Sequence, residues 1–498
     1  MKQKIFFVTG VLLALFISLP VAASSPVMNL SVESYVYNKS ANGDFIATPA
    51  PLPYRWLRSV SATDMGVDAL NHINEIRFHN GQFFITSGAT VIVTDSNFRA
   101  VHQYTGVYVN DTFVAFQTLD GIFITADGEI YIAEPAGNRI WHLDSDFNFI
   151  RELGRPYGIP LSEALAFLPR KVAVDHHGRI YVISDNVFEG LVEINPDGTF
   201  NRYFGTIEIS VTAVQLFWRS IQTAAQRART DLWLPTTFTN IAVDRFGFVY
   251  ATLTDVGRPP VMKLNARGTS ILRTPDENFH PGSINFNTWG MGIPVGPSLL
   301  NFLYITDFGV FYVFDTNRNR VFAYDNDGHM LFAFGGTGQR EGLTQNVTGM
   351  TVAGDLLVLA DRGNQSLEIF ELTSYGSFVI SAARLQYAAD WQGAASYWRR
   401  VIDYNPFFQY AYLGVGRYLY RHGYHEEAMW YFQRAQNEQY FSRAFQQARS
   451  DFIENNFTVI AIGGAALLVL LIIFLNIRRG RYLAREKTGL VSERGAYS

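Results

Sequence analysis

The chain contains no cysteine. That absence removes disulfides, thiolate metal sites and cysteine nucleophiles. It also removes the attachment point of a lipid-modified lipoprotein, so any stability must come from a packed core. Charge is sparse as well, with 17% of the 498 residues being Asp, Glu, Lys or Arg. A nucleic-acid footprint needs a basic patch on a folded domain, and none is visible. No HExxH, P-loop, GxSxG or GxGxxG in a strand–turn–helix setting occurs. What is abundant is aromatic: 15% of residues, chiefly Phe and Tyr, which favours strands over disorder. The length leaves room for two or three domains.

The net charge of −4 is uneven. Residues 478–498 hold six Lys/Arg and two Glu, leaving about −8 on the rest of the chain. Before this tail, residues 457–477 form an uncharged apolar run. As a helix it would span about 31 Å, the thickness of a bilayer core. At the other end Lys2 and Lys4 precede an apolar stretch that Pro20 breaks, and Val21-Ala22-Ala23 follows with small residues. This pattern predicts a secretory signal peptide over residues 1–23, with an uncleaved anchor as the alternative. Arg478, Arg479 and Arg481 after the apolar run keep positive charge on the cytoplasmic side. The expectation is a single-pass cell-membrane protein with a large extracellular N-terminal part and a short cytoplasmic tail at 478–498.

Within residues 74–376 a unit recurs six times. A turn glycine is followed three residues later by a large strand residue: Gly81/Phe84, Gly128/Tyr131, Gly178/Tyr181, Gly247/Tyr250, Gly309/Tyr312 and Gly354/Leu357. An acid often ends that strand (Glu134, Asp185, Asp315, Asp361), and Asp-Gly turns such as Asp197-Gly198 and Asp327-Gly328 follow. Short strands at a period of tens of residues mark a radially repeated sheet whose units cannot bury their faces alone. Six units predict a mainly β, six-bladed propeller. The last unit runs into helix, so its outer strand is expected from the N-terminal segment 24–73, around residues 34–48, closing the ring.

The strings DGEIYIAEPAGNRIWHLDSDFNFIRELG (from Asp127) and FGVFYVFDTNRNRVFAYDNDGHMLFAFG (from Phe308) resemble the NHL-repeat family, with its Asp/Gly turn, Tyr-containing strand, acid and Asn-x-Arg. The resemblance covers about 300 residues and implies a propeller; family members range from binding platforms to lactonase-like and lyase enzymes. Over residues 377–455 the period becomes helical. Ala382/Gly416, Leu385/Leu419, Ala394/Ala428, Trp398/Phe432 and Val401/Ala435 lie 34 residues apart, resembling tetratricopeptide repeats. Their concave face would hold a peptide, or the helices would act as a spacer. The whole order resembles bacterial surface proteins associated with carbohydrate transporters and often labelled gluconolactonase-like. That resemblance implies an extracellular binding or scaffolding role, in glycan capture or as an accessory of a transporter complex, rather than an enzyme. The alternative is an extracellular metal-dependent lactonase or hydrolase.

Candidate site residues are those that break the repeat. Glu75, Asp120, Arg170, Asn240, Asn301 and Thr348 precede the innermost strands and are expected to ring one channel mouth. No cofactor is expected for a binding role; under the alternative, Glu75, Asp120, Asn240 and Asn301 would offer oxygens to a divalent cation, with Arg170 repelling it. Two insertions, 206–239 with Trp218 and Trp233 and 274–300 with His280 and Trp289, bring aromatic rings suited to sugars or protein partners. The recurrent strand-end acids are read instead as ties for their own turns.

Overall fold

The computed structural model describes residues 33–40, 42–206, 237–254, 259–272, 280–284 and 296–494. The expected signal peptide lies outside them, as do Trp218, Trp233 and Trp289 and most of both insertions. Six sheets form the blades of a propeller. Their innermost strands are Ile73–His79, Ile122–Ile124, Pro169–Val174, Phe238–Val243, Leu300–Ile305 and Val347–Ala353, first blade to sixth. Each innermost strand packs on the next, and that of the sixth blade returns to that of the first.

The repeat unit has a physical cause. Its six turn glycines all have φ between 61° and 91°, a left-handed conformation that a side chain disfavours. The large residue three positions later is buried in all six blades, wedged between neighbouring sheets. Turn aspartates such as Asp144 and Asp325 accept backbone N–H bonds from residues two and four positions on, at 2.8–2.9 Å. The unit thus pairs a forced turn with a core anchor.

The N-terminal segment is used twice, and the closing strand differs from the one expected. Strands β1 (Glu33–Lys39) and β2 (Phe45–Pro49) do not close the ring; they extend the fifth blade to six strands, through Glu33 opposite Gly335 and Tyr35 opposite Ala333. The outer strand of the sixth blade is β3 (Tyr54–Ser61), antiparallel to Ser366–Leu372. A single-turn helix, α1 (Ala62–Met65), follows with Ser61 and Asp64 in a capping box.

Six further helices follow: α2 (Ser374–Tyr387), α3 (Trp391–Tyr404), α4 (Gln409–Arg421), α5 (His425–Arg434), α6 (Glu438–Asn455) and α7 (Phe457–Arg494). The first five stack in antiparallel sequence. Residues 34 apart occupy matching buried places: Ala394 with Ala428 and Trp398 with Phe432. Glycine permits the close crossings, since a Cβ at Gly416 would meet the Phe432 ring at 2.6 Å. One apolar core runs from Tyr312 and Phe334 of the fifth blade through Tyr54, Phe370 and Tyr375 to Trp398 and Phe432. The helices are therefore fused to the propeller rather than strung after it. In α7, Phe457–Leu483 is long and apolar enough to cross a membrane, with mean hydropathy 2.9 and none of it buried.

Candidate functional site

Each innermost strand begins with a bulge. In five blades the pairing skips one residue: Asn74, Arg170, Thr239, Asn301 and Thr348 have no partner opposite. In the second blade Asp120 fills the same place; its N–H donates to the Ala133 carbonyl at 2.9 Å, while the Ala133 N–H donates to Gly121 at 2.8 Å. A bulge re-aims the extra side chain, and here all six point to one place. Asn74, Asp120, Arg170, Thr239, Asn301 and Thr348 all line an open cavity of about 570 Å³ at one end of the channel.

The candidate ring is thereby corrected in register. Asp120, Arg170, Asn301 and Thr348 stand on it. Glu75 and Asn240 lie one residue further in, 2% and 1% exposed, and their ring places belong to Asn74 and Thr239. Each bulge residue follows an apolar one (Ile73, Leu119, Pro169, Phe238, Leu300, Val347), so the correct alignment was present in the sequence. His280 does not join the ring. It lines a separate cleft between the fifth blade and α4–α6, edge-on to Tyr37 and Phe45. Burial holds its imidazole below the usual histidine range.

The mouth carries a charge network that the candidate list lacked. Lys171 Nζ lies 2.6 Å from Glu75 Oε2 and 3.5 Å from Asp120 Oδ1. Arg77 reaches the other Glu75 oxygen at 3.7 Å. Arg170 Nε is 2.7 Å from Asp120 and its Nη1 3.3 Å from Asp185. Burial works against the Arg170 charge, but Asp120 and Asp185 outweigh it and raise its pKa. Arg362 donates through Nε to the Ile73 carbonyl at 3.0 Å and through Nη2 to Asn74 Oδ1. Lys171 and Arg362 escaped notice because the lysine sits inside a strand and the arginine in a recurrent turn.

This donor set does not fit a divalent cation. A calcium-like ion wants six to eight oxygens and several carboxylates, and the ammonium of Lys171 already sits between the two carboxylates that would hold one. Among the described residues no group of three or more His, Cys, Asp or Glu is placed to bind a metal. Three of the four strand-end acids do tie local backbone. Glu134 accepts from the Gln117 N–H, Asp315 from Leu299 and Asn317, and Asp361 from Gln345, Asn346 and Gly363. The fourth, Asp185, faces the mouth and pairs with Arg170.

The other end of the channel opens into a cavity of about 940 Å³ walled in part by Ile380, Ser381 and Arg384 of α2. Among the described residues a helix covers the channel at this end and none covers the other.

Among solved structures the chain is similar to a streptogramin B lyase, at 12% identity and TM-score 0.40, covering 64% of this chain and 98% of that one. It is also similar to the virginiamycin B lyase of Staphylococcus aureus, at 11% identity and TM-score 0.35 over 68% and 88%. A third likeness is to the extracellular domain of a putative hybrid two-component system from B. thetaiotaomicron, at 12% identity and TM-score 0.35 over 68% and 40%. No protein-family model and no curated protein matches the chain. Likenesses at this level carry nothing about chemistry.

Proposed function

We propose that this is a membrane-anchored surface binding protein whose NHL-like propeller captures a glycan at its open mouth, as an accessory to carbohydrate uptake. The observation that carries this reading is the mouth itself: a ring of six polar side chains around about 570 Å³, within the size range of small-ligand sites. Its carboxylates are paired with Lys171 and Arg170. Such a site offers many hydrogen bonds, which suits recognition. The rival lactonase would need Glu75 and Asp120 released from Lys171 before they could hold an ion.

The tether supports the same reading. The helix Phe457–Leu483 is the anchor, and the basic residues after it orient the propeller outward. The tetratricopeptide-like helices serve as a rigid spacer, because they share one apolar core with the propeller. Gln409 exchanges two hydrogen bonds with the Lys39 backbone, at 2.7 and 2.9 Å, and Asn38 donates to the Phe407 carbonyl at 2.7 Å.

The test is glycan-array binding by the full-length chain in detergent. Binding lost in Asn301→Leu and kept in His280→Gln is the expected result. Binding unchanged by Asn301→Leu and by Thr239→Val would remove the mouth from consideration.

A further inference from the structure

The cup is not electrically balanced, and its imbalance bears on what it binds; the inference rests on the binding reading above. Three cations line this mouth, Arg170, Lys171 and Arg362, against two carboxylates, Asp120 and Asp185; Glu75, buried behind Lys171, is shared with Arg77, which lines the other end of the channel. The first two cations each touch a carboxylate. Arg362 does not. Its acceptors are the neutral Ile73 carbonyl and the Asn74 amide oxygen, and its Nη1 has no protein partner among the described residues. One positive charge is therefore left for a ligand.

Across the cup, on the fourth and fifth blades, the character is different. The walls are Thr237, Thr239, Asn301, Phe302 and Thr316, without charge. One buried amide oxygen there, Asn301 Oδ1, receives no hydrogen bond among the described residues. The Asn301 amide is oriented by its neighbour. Thr316 gives its hydroxyl hydrogen to the Leu299 carbonyl at 3.2 Å, so Thr316 Oγ1 can only accept from Asn301 Nδ2, at 2.8 Å. The free end of Asn301 is an acceptor. Unused buried acceptors are rare because desolvation penalises them, and ligand hydroxyls would satisfy them.

We infer that the mouth takes a sugar unit bearing one carboxylate, of the uronate class. The carboxylate faces Arg362, where a charge-assisted pair forms, and ring hydroxyls donate to Asn301 on the far wall. A neutral sugar leaves Arg362 unpaired. A small carboxylate leaves Asn301 Oδ1 unmet.

Calorimetric titration of the detergent-solubilised full-length chain with D-glucuronate, D-glucose and acetate tests this. Glucuronate should bind at least about tenfold more tightly than either of the others. Arg362→Gln should abolish that preference while leaving glucose within about threefold. Asn301→Asp should weaken glucuronate more than glucose, since it sets a second carboxylate in the cup. Arg362 also joins the sixth blade to the first, so melting temperatures accompany each titration; Asn301→Asp leaves that junction intact and decides the matter if Arg362→Gln unfolds. Equal affinity for glucuronate and glucose, or acetate binding as well as glucuronate, overturns the inference while mouth-dependent glycan binding still stands. Absence of saturable binding by all three overturns it too, and the binding reading then falls only if array binding is also indifferent to Asn301→Leu.

Discussion

At the channel mouth the Lys171 ammonium holds two carboxylates at once, Glu75 at 2.6 Å and Asp120 at 3.5 Å, with Glu75 almost wholly buried. Removing one partner of a buried pair strands the other charge, which costs about 3–5 kcal/mol. Lys171→Met is therefore expected to destabilise the propeller by about that amount, and Glu75→Gln added to it should restore most of the loss. Thermal unfolding of the three variants checks both. His280 gives a pH prediction. Burial depresses its folded pKa, so the unfolded chain takes up the proton first and stability falls as pH drops from about 7 toward the depressed value. The melting temperature should decline over that range, less steeply in His280→Gln; an unchanged slope would contradict the assignment. At this scale the sequence was partly legible. Asp120, Arg170, Asn301 and Thr348 were placed on the mouth because they break the repeat, but Glu75 and Asn240 were set one residue too far out, because a bulge adds a residue that periodicity alone does not reveal. Lys171 and Arg362 matter through partners on other blades, and no local pattern encodes those.

Among the elements, β3 closes the ring. Val60 on it is buried among Leu367, Ile369 and Val358, and the strand supplies the outer ladder of the sixth blade. Val60→Asp should open this blade and lower stability by several kcal/mol, with faster amide exchange along Leu356–Asp361 and Ser366–Leu372 than along the third blade. Exchange accelerated uniformly over all blades would show that closure does not reside there. The six-fold repeat was readable because each turn needs glycine and each blade needs one large buried residue. The choice of closing strand was not, since it depends on chain reach rather than on pattern. Helix α2 sits against the same region: a Cβ at Gly376 would meet the Pro53 carbonyl oxygen. Gly376→Ala is expected to loosen the helices from the propeller, seen as protease cleavage between residues 372 and 376.

For the molecule as a whole, the shared core from the fifth blade to Trp398 and Phe432 makes propeller and helices one body. Phe457–Leu483 is long and apolar enough to anchor that body in a membrane. If Lys171 fills the place between Glu75 and Asp120 that an ion would take, the full-length chain should not need a metal. The most direct measurement is metal analysis of the chain after exposure to calcium, magnesium, manganese and zinc, paired with a lactone-hydrolysis assay. The account predicts no stoichiometric divalent ion that Glu75→Gln or Asp120→Asn removes, and no turnover dependent on either carboxylate. One tightly held ion per chain, lost together with hydrolysis in Glu75→Gln, would contradict it.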